Sequence, residues 1–193
     1  MNLKEKEDLL KEKGALMEGH FILTSGQHGD TYIQCARILE DPQTSALLIG
    51  ELIKEVKNKN IDLVIGPATG GIILAYEAAR QLGVKAIFTE RENGEMTLRR
   101  GFKIPKGARI LVVEDVVTTG GSVKEVLNIV ENQGGQVAAV GLIADRTGGK
   151  IDFGVPTYAI FSKEINSYNP RDCYLCKENI PASKLGSRNL NSL

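Results

Sequence analysis

The stretch LVVEDVVTTGGS, residues 111–122, ends an apolar run with two adjacent carboxylates and follows them with two threonines, two glycines and a serine. The segment VKEVLNIVE just downstream has the apolar spacing of a helix. Free backbone N–H groups at a helix start bind anions, so Thr118, Thr119, Gly120, Gly121 and Ser122 read as a phosphate cradle. Hydroxyls and amides donate, and the glycines let the backbone approach the anion closely. No lysine falls in this stretch, which implies a phosphate monoester held mainly by N–H and O–H donors. Glu114 and Asp115 would repel that phosphate unless they bind something else. Carboxylate oxygens accept hydrogen bonds from a vicinal diol or reach Mg²⁺ through water. A ribose carrying a 5′-phosphate satisfies both halves of the motif. The patterns GxxxxGK[ST] and GxGxxG are absent, so nucleoside triphosphatase and dinucleotide-binding readings lose their main support.

Other chemistry-bearing residues are scattered. The turn PATGG, residues 67–71, follows an apolar β-branched run and contains Ala68, Thr69, Gly70 and Gly71. Between residues 91 and 108 runs RENGEMTLRRGFKIPKGA, longer than the usual connection of about 4–6 residues. It carries Arg91, Arg99, Arg100 and Lys103, and guanidinium forks suit phosphate oxygens. Cys173 and Cys176 form a single CxxC. A structural zinc site needs four ligands, and with His20, His28 and Cys35 as the remaining candidates, completion would require distant loops or a second subunit. Packed or partly exposed thiols are therefore expected, and His28 is expected to be a solvated loop residue.

These residues need elements to hold them. The 193 residues suit one domain with a real core. Lys plus Arg and Asp plus Glu are both 24, so no overall field recruits nucleic acid or anionic membrane. No apolar stretch approaches the roughly 20 residues of a membrane span, and MNLKEKEDLLKEK lacks the apolar segment of a secretory signal. A cytoplasmic location is expected. The spacing predicts an amphipathic helix ending near Gly14, then two β stretches, HFIL and TYIQC, flanking a turn. Asp41-Pro42 predicts a helix start, with an apolar stripe carrying it to about Asn58. From there strands and helices alternate: IDLVIG, GGIILAYEAARQL, VKAIFTE, ARILVVE, GSVKEVLNIVENQ, QVAAVGLIA. Apolar runs without polar alternation mark strands buried on both faces. The expected fold is α/β, a doubly wound, mostly parallel sheet, with a small N-terminal hood over residues 1–40, the core over 41–165 and a tail over 166–193. The end of that tail, KLGSRNLNSL, is expected to be disordered.

VVEDVVTTGGS closely resembles the phosphoribosyl diphosphate (PRPP) signature of the type I phosphoribosyltransferases. GHFILTSGQHGDTY, VIGPATGGI, AIFTEREN and the pair Asp145-Arg146 resemble the orotate phosphoribosyltransferases in order and spacing over residues 15–150. The tail CYLCKENIP is similar to that of a subgroup common in thermophiles and archaea. The resemblance implies transfer of phosphoribose from PRPP to orotate, with Mg²⁺ carried on PRPP rather than bound directly by the protein. PRPP contacts would come from Glu114, Asp115, Val116, Val117 and residues 118–122, from Ala68, Thr69, Gly70 and Gly71, and from Arg91. Glu114, Asp115, Arg99 and Arg100 would act on the reacting groups, and Thr118, Arg146, Thr24 and Tyr32 would contact orotate. It also implies a homodimer in which the loop 91–108 completes the partner's site.

The chain departs from the family pattern at several positions. Glu92, Asn93 and Glu95 follow Arg91 where many members carry a lysine and a histidine, Gly70 replaces a common lysine, and Thr24 replaces another. Arg99 and Arg100 are the cations left to neutralise pyrophosphate. Two rivals share the fold: a purine-base phosphoribosyltransferase, disfavoured by LTSG and Arg146, and a non-catalytic PRPP-binding regulator, disfavoured by the neutral charge and the lack of a DNA-binding segment.

Overall fold

The structure, a computed structural model, describes residues 1–185; the expected disorder of the extreme C-terminus lies mostly outside the described residues. The chain opens with α1 (Leu3–Glu12), whose N-cap Asn2 accepts from Glu5 N while the Glu5 side chain accepts from Asn2 N. An antiparallel hairpin follows, β1 (Leu16–Ile22) and β2 (His28–Ile33), and then a short helix α2 (Ala36–Leu39). This hairpin is the hood. It starts earlier in both arms than HFIL and TYIQC imply, because Leu16 and Phe21 as well as His28 turn inward and are buried.

The long helix α3 (Pro42–Val56) begins at Asp41. Leu48, Ile49, Leu52 and Val56 are buried along one stripe, and each fully buried Leu or Ile contributes about 1.5–3 kcal/mol. Packing, more than helix propensity, holds this element. The helix stops two residues before the expected Asn58, tightening into a 3₁₀ turn at residues 57–59 before left-handed Asn60.

The core continues with β3 (Leu63–Pro67), α4 (Gly70–Leu82), β4 (Lys85–Glu92), β5 (Glu95–Thr97), β6 (Arg109–Val117), α5 (Gly121–Asn132), β7 (Gln136–Asp145) and β8 (Thr157–Ser162), before a final one-turn helix α6 (Tyr174–Lys177). Six strands form one sheet in the order β5-β4-β3-β6-β7-β8, parallel except for β5. The expected doubly wound, mostly parallel core is present. Along β6, Leu111 and Val113 join the apolar layer with α3 and α4, whereas Ile110 and Val112 join the layer with α5. Both faces are covered, so the strand reads as an unbroken apolar run. Among the described residues no helix is long and apolar enough to cross a membrane.

Two segments differ from the sequence expectation in ways that matter for the site. The strand VKAIFTE runs on through Glu92 and folds back at Asn93-Gly94 into β5, so Arg91 lies in a strand and residues 91–97 form a hairpin rather than a loop. Asn93 and Gly94 both have positive φ, 53° and 90°, as a two-residue hairpin turn requires. The strand read as RILVV extends to Val117, which pairs opposite Asp145 of β7. Glu114 and Asp115 therefore lie inside a strand, not just beyond it.

Candidate active site

The start of α5 forms the first half of the site. Gly120 precedes the helix at φ 74°, in the left-handed region. A Cβ there would also meet Ile151 Cδ1 at 2.1 Å, so glycine is required on two counts. No side chain caps this helix. Its free N–H groups face a small pocket of about 70 Å³ lined by Glu114, Val116, Val117, Thr118, Thr119, Gly120, Gly121, Ser122 and Val123. Its size and donors suit one tetrahedral phosphate.

The two acids occupy different surroundings. Asp115 Oδ1 accepts from Val116 N at 2.7 Å, and a Cβ on Gly70 would fall 2.1 Å from Asp115 Oδ2. The start of α4 is thus pressed against this carboxylate, and Gly70 is the residue that permits the approach. The Ala68–Thr69 peptide ahead of it is cis, Ala68 N donates to Thr89 O at 2.7 Å, and Thr69, at the N-cap, provides no side-chain cap. Glu114 instead lines the small pocket and is buried, with Oε2 lacking any hydrogen-bond partner among the described residues. Burial, reinforced by the neighbouring Asp115 carboxylate, raises its carboxyl well above the ordinary range. The paired anions expected from the sequence are therefore unequal: Glu114 favours its neutral form more than an ordinary carboxyl does, which weakens its repulsion of an incoming phosphate. The Cys35 thiol donates to Asp115 O at 3.3 Å and is buried beneath the pair.

A larger cleft of about 690 Å³ adjoins this pocket, lined by Leu23, Thr24, Ser25, Gln27, Tyr32, Ile33, Gln34, Val116, Thr118, Thr119, Arg146, Ile165 and Ser167. Val116, Thr118 and Thr119 line both spaces, so one ligand can span them. All four residues expected at the base, Thr24, Tyr32, Thr118 and Arg146, are brought together here. Arg146 follows β7 directly, and its backbone N donates to Val117 O at 3.0 Å. Its Nε is buried without a hydrogen-bond partner among the described residues, and burial lowers the pKa of the guanidinium. A half-buried guanidinium with an unbonded nitrogen is incompletely satisfied, so this cleft suits a carboxylate or another anionic edge.

Sequence reasoning missed how Arg146 is placed. Asp145 is buried and accepts from Thr147 N at 2.8 Å, Thr147 Oγ1 at 2.7 Å, Gly149 N at 2.7 Å and Ser162 Oγ at 3.1 Å. Burial opposes its ionisation, but these donors outweigh it and hold the carboxyl below its ordinary range. The turn carrying Arg146 is clamped as a result. Its signal in the sequence was the pair Asp145-Arg146 at a strand end, followed by Thr147 and two glycines. Gln34, Ile165 and Ser167 on the cleft wall carried no local signal.

The candidate cations at the leaving group are not in either space. Arg91 pairs with Glu125 at 2.6 Å and donates to Gly94 O. Arg100 makes a two-pronged pair with Glu90, both contacts at 3.0 Å, and stacks over Phe88. Arg99 pairs with Glu92 at 3.2 Å. Neither these three nor Lys103 lines the two clefts.

Residues 36–167 match the family described as phosphoribosyl transferase domain. Orotate phosphoribosyltransferase of Caldanaerobacter subterraneus is 57% identical over 96% of this chain and its own full length. That of Thermotoga maritima is 52% identical over 95% of this chain and 98% of its own length. Among solved structures, orotate phosphoribosyltransferase from Aeropyrum pernix superposes with a TM-score of 0.69 at 27% identity, covering 80% of this chain and 92% of its own. An anion pocket at a helix start, a buried acid beside it, an unpartnered arginine across a shared wall and relatives matched almost end to end agree on one conclusion: this chain belongs to the orotate phosphoribosyltransferase family.

Proposed function

We propose that the chain transfers the phosphoribosyl group of PRPP to orotate, giving orotidine 5′-phosphate and pyrophosphate, a step of pyrimidine biosynthesis. The observation that carries this reading is the wall shared by the two spaces. A 5′-phosphate at residues 118–122 puts the ribose beside Glu114 and Asp115, and the base reaches the cleft that contains unpartnered Arg146. In the reaction the C1′–O bond to diphosphate breaks, a C1′–N1 bond to orotate forms, and the N1 proton is released. The sugar carries positive charge as diphosphate leaves. Asp115 stabilises that charge, and Glu114 accepts from or donates to the diol as it ionises. The cleft then supplies placement.

Mg²⁺ fits this site as a passenger on PRPP. The Asp115 carboxylate is an oxygen donor of the kind it prefers, and when bound it would neutralise diphosphate charge. Release of Arg99 and Arg100 from Glu92 and Glu90 would bring cations to the same group. Leu47 on α3 with Ile73 and Tyr76 on the packed neighbour α4 are large exposed apolar side chains, which supports a homodimer. A cytoplasmic location accords with this metabolic role.

Pyrophosphate release from PRPP and Mg²⁺, measured with orotate, adenine, xanthine and uracil in parallel, tests the proposal. Release with orotate alone is the expected result. Release with a purine would shift the assignment to a purine enzyme, and PRPP binding with no release from any base would make the chain a regulator.

A further inference from the structure

We infer that His20, His28, Cys173 and Cys176 form a structural zinc site that fastens the C-terminal segment to the N-terminal hairpin. Their four ligand atoms lie within 4.8 Å of one another. Cys173 Sγ and Cys176 Sγ are 3.6 and 3.7 Å from His20 Nε2, and Cys176 Sγ is 3.2 Å from His28 Nδ1. A tetrahedral zinc with Zn–S of about 2.3 Å and Zn–N of about 2.0–2.1 Å sets its ligand atoms roughly 3.3–3.8 Å apart. The sulfur–nitrogen spacings are close to that figure. The two nitrogens, 2.7 Å apart, would have to open by about 0.6 Å to reach the tetrahedral spacing. The thiols are packed or partly exposed, as expected, Cys173 buried and Cys176 half-buried, but the solvated reading of His28 gives way: His20 and His28 are buried beside them.

The surroundings of His20 fix its chemistry. Its Nδ1 lies 2.6 Å from Ile180 O, an oxygen that can only accept. The proton therefore sits on Nδ1, and Nε2 offers its lone pair to the cluster, the arrangement that carbonyl partners enforce on zinc-bound histidines. Two nitrogens and two sulfurs select zinc over hard cations such as Mg²⁺. Cys173 stands at the N-cap of α6 and Cys176 within it. His20 and His28 flank the turn whose Leu23, Thr24, Ser25 and Gln27 line the large cleft. The site also closes a seam already drawn by backbone pairs, Tyr168 with His28 and Ser183 with His20 and Ile22. Resting on the proposed activity, one consequence is that the ion holds the base-side loop in place.

The test begins with the full chain purified from zinc-supplemented cells, its metal content measured by mass spectrometry, and then with the protein treated with chelator and titrated with Co²⁺. The expected results are about one zinc per chain and, with Co²⁺, an intense tetrahedral spectrum with thiolate charge transfer. Cys176→Ser should retain the fold by circular dichroism while losing most of the metal, with a thermal midpoint lowered by several degrees. Neither readout depends on catalysis, so either can fail while the proposed activity stands. For the base-side role, chelation should raise KM for orotate more than KM for PRPP. Metal content near zero together with an octahedral Co²⁺ spectrum overturns the inference. A Cys173–Cys176 disulfide in the freshly purified protein also overturns it.

Discussion

Glu114 and Arg146 are the residues where burial and chemistry conflict most, and each leaves a measurable trace. Folding raises the Glu114 carboxyl above its ordinary value of 4.5, through burial first and Asp115 second. The folded protein therefore keeps a proton that the unfolded chain releases. Stability is complete below that value and declines as the pH rises through neutrality. Glu114→Gln keeps the shape and removes the ionisation, so it should be more stable than the parent at pH 8, by on the order of 2 kcal/mol, and by much less at pH 5. Urea unfolding at both pH values measures this, and an equal difference at the two would contradict it. The same variant should turn over slowly with its fold intact. At Arg146 the unpartnered Nε anticipates an anionic edge. Truncating one partner of a buried charge pair costs about 2–5 kcal/mol, so Arg146→Ala should raise KM for orotate about 30-fold or more, with a much smaller change for PRPP. An equal rise in both constants would argue against contact with the base.

At the scale of elements, the start of α5 and the β4–β5 hairpin are held in place in different ways. The first is rigid, set by left-handed Gly120 packed on Ile151 and Phe153. The second is anchored by the pairing of β4 with β3 and by buried Ile87 and Thr89, while its outer end carries exposed ion pairs, Arg91 with Glu125 and Arg100 with Glu90, which contribute little net stability in water. Arg100→Ala should therefore leave the thermal midpoint nearly unchanged while lowering kcat at least tenfold. An unaltered kcat would reduce Arg100 to a surface residue. This division explains what was legible in the sequence. Residues 114–122 are contiguous, so strand, acids, hydroxyls and helix start could be read as one motif. The hairpin had a local signal too, Asn93-Gly94 between extended residues, but the charge, glycines and proline of the long segment outweighed it. The wall formed by Gln34, Ile165 and Ser167 had no such signal. The same holds for the histidine–cysteine cluster, in which His20 and Cys173 stand 153 positions apart. Contacts between distant segments are decided by tertiary packing, and no periodicity within a single window encodes them.

For the whole molecule, the parallel sheet sets the acids and the small pocket toward the carboxyl ends of its strands, and the hood lines the larger cleft. Leu47 on α3 and Ile73 and Tyr76 on α4 are exposed, and in the proposed homodimer a second copy would cover them. Sedimentation should find a dimer that Tyr76→Glu converts to monomers, and a parent that sediments as a monomer would refute that arrangement. The most direct test of the central claim is a crystal structure with orotidine 5′-phosphate, one molecule long enough to report on both spaces. The account predicts its phosphate within hydrogen-bond distance of the residue 118–122 amides and its pyrimidine carboxylate against Arg146. A phosphate bound anywhere else, or a base turned away from Arg146, would contradict it.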